Sequence, residues 1–316
     1  MTRLFVAGVT GCQGSAVVQQ ALKKGWSVQG LARNPESAAA VALAAQGVQL
    51  TPGDYDNAEA LQTAMAGCTA AFIALMPKFD DPSAEERWAG LILGAARTAG
   101  VQTVVASTGL NADNPDQLDG WQEGSFFSKI MQSKRNIEAA VREAGFPNWT
   151  VLRPGFFMAN FILPKVAMYP GFSQSGVWST ALLAETQLPL IDDLDIGAFA
   201  VEAVARPVDF SGKTIPIAFD VRTPGMIVQT LSAATGRRLE AKFQDEEEVK
   251  KALASDLFVA GYYAMRNMIK LIDIDALKAY GIPMGTLEQY IQRHIDNAKK
   301  TFESAPLKGS GGKREE

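Results

Sequence analysis

Met1–Arg33 reads MTRLFVAGVTGCQGSAVVQQALKKGWSVQGLAR, and its punctuation decides the fold. An apolar run, Leu4–Ala7, stops at a glycine. Gly8-Val9-Thr10-Gly11-Cys12-Gln13-Gly14 follows, then a helical pattern to Lys24, then a second apolar run from Trp26 to Ala32. Strand, glycine turn, helix and strand make one βαβ unit. In such a turn Gly8 lets the chain leave the strand tightly, Gly11 lets a pyrophosphate approach the backbone, and Gly14 lets the helix pack close to the sheet. The helix start adds free N–H groups and a positive dipole end. Thr10, Cys12 and Gln13 complete this cofactor-binding turn. Arg33 ends the second strand, where an acidic residue would bind the ribose 2′-hydroxyl of NAD; an arginine there suits the 2′-phosphate of NADP(H) instead.

The 316 residues are enough for one large α/β domain or two smaller ones, and 47% hydrophobic with 20% charged residues is the composition of a globular enzyme. A net charge of −4 gives no reason to expect direct nucleic-acid binding. Cys12 and Cys68 form no C-x-x-C pair, and the N-terminus runs straight into a strand without a signal-peptide core, so a reducing, cytoplasmic setting is expected. No apolar run is long enough to span a bilayer. His294 is the only histidine, which argues against a His/Cys zinc site, and no metal is expected. No G-x-S-x-G elbow occurs, since Gly171-Phe172-Ser173-Gln174-Ser175 fails at its last position. Gly212-Lys213-Thr214 resembles the end of a Walker loop, but Pro207 stands at the required first glycine.

Further along, a helix is expected over Pro35–Gln46, a strand over Val48–Leu50 and a helix over Ala58–Ala66. Asp54 and Tyr55 are placed to edge the adenine ring, and Asp56 to cap the following helix. Thr69–Leu75 reads as an apolar strand covered on both faces, Ala84–Ala99 as a helix, and Gln102–Ala106 as a strand. Ligands of a doubly wound sheet gather outside the carboxyl ends of its strands, which brings Leu75, Met76, Ser107 and Thr108 to the cofactor. A long helix over Ser125–Gly145 carries Lys134. The strand Thr150–Leu152 runs into Arg153-Pro154-Gly155-Phe156-Phe157, an aromatic loop placed to wall both nicotinamide and substrate. Phe127, Phe157, Phe161 and Trp178 are candidate linings of the substrate pocket. Beyond this point the alternation of strand and helix decays, with long helices expected over Glu246–Leu271 and Thr286–Phe302. The expected organisation is a dinucleotide-binding domain over 1–155, its sheet completed by a returning strand near 213–220, a smaller lobe over 156–303, and a disordered tail from Ser304.

Together Gly8–Gly14, Ala32-Arg33-Asn34-Pro35, Gly53-Asp54, Ser133-Lys134-Arg135-Asn136-Ile137-Glu138 and Leu152–Phe157 resemble the NmrA-like family of atypical short-chain dehydrogenases/reductases. The resemblance implies a Rossmann-type doubly wound parallel sheet with a smaller mixed α/β C-terminal lobe, and NADP(H) across the strand ends. It also gives Lys134 the position of the family's active-site lysine. Typical short-chain enzymes carry a tyrosine four residues earlier, in Y-x-x-x-K; here that position is Ile130. A tyrosine beside a lysine can pass a proton to a carbonyl, and isoleucine cannot.

Two readings follow. In the first the protein is an NADPH-dependent reductase of a hydrophobic aromatic, quinone-like or carbonyl small molecule. Lys134 then serves as proton donor or orienter, as in isoflavone-reductase-like relatives, if an apolar pocket surrounds it, and Ser107 or Thr108 hydrogen-bonds a substrate oxygen. In the second the protein binds NADP(H) without chemistry and regulates a partner such as a transcription factor. A homodimer and a regulatory protein partner both stay open.

Overall fold

The computed structural model describes residues 2–308. The chain alternates strand and helix through β1 (Arg3–Val6), α1 (Cys12–Lys23), β2 (Ser27–Ala32), α2 (Ala38–Ala45), β3 (Gln49–Pro52), α3 (Ala58–Met65), β4 (Ala70–Ala74), α4 (Ala84–Thr98), β5 (Thr103–Ser107), α5 (Phe126–Glu143) and β6 (Asn148–Pro154). The remainder holds β7 (Phe156–Phe157), α6 (Phe172–Ser175), β8 (Val177–Thr180), β9 (Leu188–Ile191), α7 (Asp193–Ala205), α8 (Pro207–Phe210), β10 (Lys213–Ile217), β11 (Asp220–Arg222), α9 (Pro224–Thr235) and β12 (Glu240–Phe243). Five short helices finish it: α10 (Glu246–Ala252), α11 (Leu257–Met265), α12 (Ile274–Lys278), α13 (Leu287–Arg293) and α14 (Ile295–Thr301).

Seven strands pair in parallel in the order β10-β6-β5-β4-β1-β2-β3. The central strands are apolar on both faces, as they must be when helices cover each side; Leu4, Phe5 and Val6 are buried, as are Val104, Val105 and Ala106. The chain builds outward from β1 to β3 and then returns to β4 on the other side of β1. This reversal opens a crevice beyond the carboxyl ends of β1 and β4.

β10 lies beside β6, with Ile215 opposite Leu152 and Ile217 opposite Pro154. Helix α7 packs on α1 so closely that a Cβ on Gly197 would lie 2.6 Å from the Ala16 carbonyl oxygen. The stretch 193–217 therefore belongs to the sheet layer, with β10 at the place given to a returning strand near 213–220. The lobe is formed by 156–191 and by the chain after β10. It contains one sheet of order β11-β9-β7 and a parallel pair, β8 with β12. Its core is centred on Phe161, Phe172, Trp178 and Phe302, all fully buried. A separate apolar seam of Phe127 and Met131 on α5 with Ala260 and Ala264 on α11 joins the lobe to the sheet layer.

Several local expectations change. The second helix starts at Ala38, where the Ser37 hydroxyl accepts from the Ala40 N–H at 3.3 Å. Asn57, not Asp56, caps α3, accepting from Ala60 N–H at 3.0 Å. Asp56 is turned away by Arg87 and the Trp88 indole, each donating to it at 2.9 Å. The two long carboxyl-terminal helices are broken into short pieces. The tail expected from Ser304 is packed through Lys308: Ala305 is buried, the Arg238 N–H donates to Pro306 O at 2.7 Å, and Lys308 N–H donates to Gly236 O at 3.0 Å. The rest of that expectation lies outside the described residues. Among the described residues no helix is long and apolar enough to cross a membrane.

Candidate functional site

The glycine turn fits a dinucleotide by its backbone. Gly8 has φ +72°, and a Cβ there would stand 2.8 Å from Ala74 O; one on Gly14 would stand 2.0 Å from Gly8 O. Neither position admits a side chain. Gly11 begins α1 with no side-chain cap and no acidic residue in the first turn, so the first N–H groups of α1 and its positive end face the crevice. Thr10 lies in the same turn. The Gly8 N–H donates to the Tyr55 hydroxyl at 2.6 Å, which docks Tyr55 beneath the turn, edge-on to Trp88. Burial pushes the Tyr55 phenol above its usual range, partly offset by the Gly8 bond and by nearby Arg33. Arg33 is exposed at the end of β2. Asp54 instead accepts from the Asp56 N–H at 3.1 Å. Met76 is 71% exposed beyond β4.

Lys165, absent from every motif, reaches this turn from the lobe. Its ammonium donates to Cys12 Sγ at 3.1 Å and stands 4.8 Å from the centre of the Phe157 ring.

Lys134 is buried, but not in an apolar pocket. Its ammonium donates to the Leu75 carbonyl at 2.9 Å and pairs with Glu85. Glu85 is 1% exposed; desolvation raises its pKa, with the lysine pulling the other way. Sequence reasoning missed Glu85 because it lies in a different helix, α4. The hydroxyls offered as substrate donors are also engaged. Ser107 donates to Gln13 Oε1 at 2.6 Å, tying β5 to the glycine turn, and Thr108 donates to Glu138 Oε1 at 2.7 Å. Glu138 is fully buried and accepts from Arg153 Nε at 2.8 Å and Nη2 at 2.6 Å, and from Arg142 at 2.6 Å. Arg153 in turn donates to Asp113 at 2.9 Å. This network clamps α5 to the end of β6.

Beside the strand ends lies a cleft of about 300 Å³. Thr108, Phe127, Ile130, Pro154, Gly155, Phe156 and Phe157 form its sheet side, and Asn160, Tyr169, Phe258, Tyr262, Met265 and Met268 face them from the lobe. A Cβ on Gly155 would stand 2.3 Å from Pro189 O, so the wall is drawn tight there. No lining residue carries a formal charge. Phe161 and Trp178 are not in this wall: both are fully buried behind it, packed edge to face at 5.3 Å. Lys134 does not line the cleft either, whereas Ile130 does. Among the described residues no three His, Cys, Asp or Glu side chains gather as metal ligands.

A seven-stranded parallel sheet with a glycine cradle at its reversal point defines a Rossmann-fold, dinucleotide-binding class of protein. Residues 1–303 match the NmrA-like family, and the chain belongs to that family. The chain is 30% identical over 253 residues to the NAD(P)H azoreductase of Xenophilus azovorans, covering 79% of this chain and 80% of that one. Its fold is that of the NADPH-dependent quinone oxidoreductase QOR2 of Escherichia coli, solved with NADPH (TM-score 0.70, 22% identity, 92% and 99% of the two chains). It is equally that of NmrA, a negative transcriptional regulator solved with NADP (TM-score 0.64, 20% identity, 96% and 91%).

Proposed function

We propose that this protein is an NADPH-dependent reductase of uncharged aromatic acceptors of the quinone or azo kind. The observation that carries the reading is the junction of an uncharged, aromatic-walled cleft with a dinucleotide cradle at the same strand ends. The cradle N–H groups and Lys165 hold the diphosphate, Arg33 the 2′-phosphate, and Tyr55 the floor of the turn. Lys134, fixed by Glu85 and Leu75 O, would hold the nicotinamide ribose. The bound reduced nicotinamide supplies a hydride to the acceptor. The aromatic walls hold a flat acceptor in line and exclude charged ones, because an unpaired charge in that cleft would lose its hydration without compensation. Water supplies the proton that completes a hydroquinone or hydrazine product, since Lys134 does not line the cleft and position 130 carries an isoleucine in place of a phenol.

Membership of a family that contains both reductases and a regulator, together with Ile130 in the cleft wall, supports a second reading: a nucleotide-dependent sensor that acts on a protein partner. Following NADPH oxidation against a panel of quinones and azo dyes separates the two. The first reading requires stoichiometric dye or quinone reduction. The second predicts none, with partner affinity that differs between NADP⁺ and NADPH.

A further inference from the structure

The chain between β4 and α4 meets α5 at three places. Leu75 O and Glu85 hold the Lys134 ammonium. Between them in sequence, Phe79 lays its ring on Phe126, the two centred 5.4 Å apart and inclined by only 13°. Phe126, Ile130 and Lys134 follow one another at four-residue spacing on α5, so they form one row on the helix. Ile130 lines the aromatic cleft. The row therefore runs from the lysine given above to the nicotinamide ribose, past the cleft wall, to a stacked aromatic pair. At 1.5 Å per residue it is about 12 Å long.

Phe79 is 67% exposed, and Met76, three residues before it, is 71% exposed. Apolar side chains set out in water beside a cleft do little for the fold and mark a binding surface. Phe79 is also held in place. Residues 78–81 form a β-turn, in which the Asp81 N–H donates to Lys78 O at 3.1 Å, and Phe79 is at its tip. The Ser83 hydroxyl donates to one Asp81 carboxylate oxygen at 2.7 Å and Arg87 Nη2 to the other at 3.1 Å. Arg87 Nε donates in turn to Asp56 at 2.9 Å, which ties the turn to the loop after β3. Neither Phe79 nor Phe126 lines the cleft itself, whose volume of about 300 Å³ is at the small end for ligand pockets. The pair extends its aromatic surface by one helical turn.

We propose that Phe79 and Phe126 form an outer aromatic subsite of the cleft, which takes the distal ring of an uncharged acceptor built of two rings in line. This rests on the reductase reading and deepens it. The inner cleft receives the ring or azo bond that accepts hydride, and the outer pair receives the ring that does not react. The inner walls select against charge, and the outer pair selects for length.

The test is calorimetric titration of the full chain, saturated with NADP⁺, with acetophenone and with 4-acetylbiphenyl. These share a reacting end and differ by one distal ring. The wild type should bind 4-acetylbiphenyl the more tightly. Phe79→Ser should weaken 4-acetylbiphenyl by about fivefold, the worth of one ring contact, and leave acetophenone and NADP⁺ unchanged. Phe126→Leu should do the same, and Phe79→Tyr, which keeps the ring, should bind both compounds as the wild type does. An unchanged affinity for 4-acetylbiphenyl in Phe79→Ser, or an equal loss of both compounds, would overturn the subsite while leaving the inner cleft standing. A wild type that binds neither compound would overturn the cleft and the subsite with it. The predicted affinities without NADPH oxidation by any neutral acceptor would uphold the subsite and count against the reductase reading alone.

Discussion

Two cations at the cofactor turn make different demands. On the proposed reading Arg33, exposed at the end of β2, meets the 2′-phosphate, whereas Lys165, whose ammonium lies against Cys12 Sγ in the glycine turn, meets the diphosphate of any dinucleotide. Arg33→Ala should therefore weaken NADPH by about tenfold and leave NADH nearly unchanged, while Lys165→Met should weaken both alike. Titrations followed by nicotinamide fluorescence check this; equal losses in both variants would contradict it. The glycine turn and the place of Arg33 at the end of β2 were legible in the sequence because backbone constraint and the run of the strand fix them. Lys165 and Glu85 were not. Each acts on a residue far away in sequence, Cys12 and Lys134 respectively, and no local spacing encodes such a meeting. Thr108 shows the converse: its place at a strand end was legible, but its hydroxyl had already been claimed by Glu138.

Among the elements, α5 and α7 carry the electrostatics that keep the crevice in shape. Among the described residues, Glu138 on α5 is the one carboxylate paired with both Arg142 and the buried Arg153. Glu138→Gln leaves the buried Arg153 with only the half-exposed Asp113 as a counter-charge and should cost about 3 kcal/mol in a urea-unfolding measurement. Asp195, in the first turn of α7, accepts from the Gly285 N–H at 3.0 Å, and burial pushes its pKa up to about 7. Its unfolded pKa is about 4, so between those values the fold holds a proton that the unfolded chain has lost. Its contribution to stability should therefore fall as pH rises from about 4 to about 7. Asp195→Asn keeps an acceptor for Gly285 and should flatten that slope, making the variant more stable than wild type at pH 8 by up to about 4 kcal/mol. Denaturant midpoints across that pH range test it; an unchanged slope would contradict it. The strands and helices before Pro154 were legible from their alternating apolar runs and glycine stops. The lobe helices were not, because α10 to α14 are only five to nine residues long and too short to show a sustained helical period.

At the scale of the molecule, the lobe interrupts the sheet layer between β6 and β10 and lays its aromatic face over the strand ends. A sequence that leaves the seven-stranded sheet after Pro154, returns to it at Lys213 and then rejoins the lobe looks like decay of a pattern, although each crossing is ordered. Cofactor cradle and cleft consequently come from different parts of one chain and meet at Phe157, whose ring lies under Lys165 and also walls the cleft. That junction is the central claim. It is tested most directly by mixing the NADPH-loaded protein, without oxygen, with one equivalent of a neutral quinone or azo dye, and with a sulfonated, charged analogue. Nicotinamide absorbance and acceptor colour are followed together. The account predicts one acceptor reduced for each NADPH oxidised with the neutral compound, and a rate lower by at least about tenfold with the charged one, for the cost of burying an unpaired charge. NADPH that binds but is not oxidised by any neutral acceptor, or no preference between neutral and charged acceptors, would contradict it.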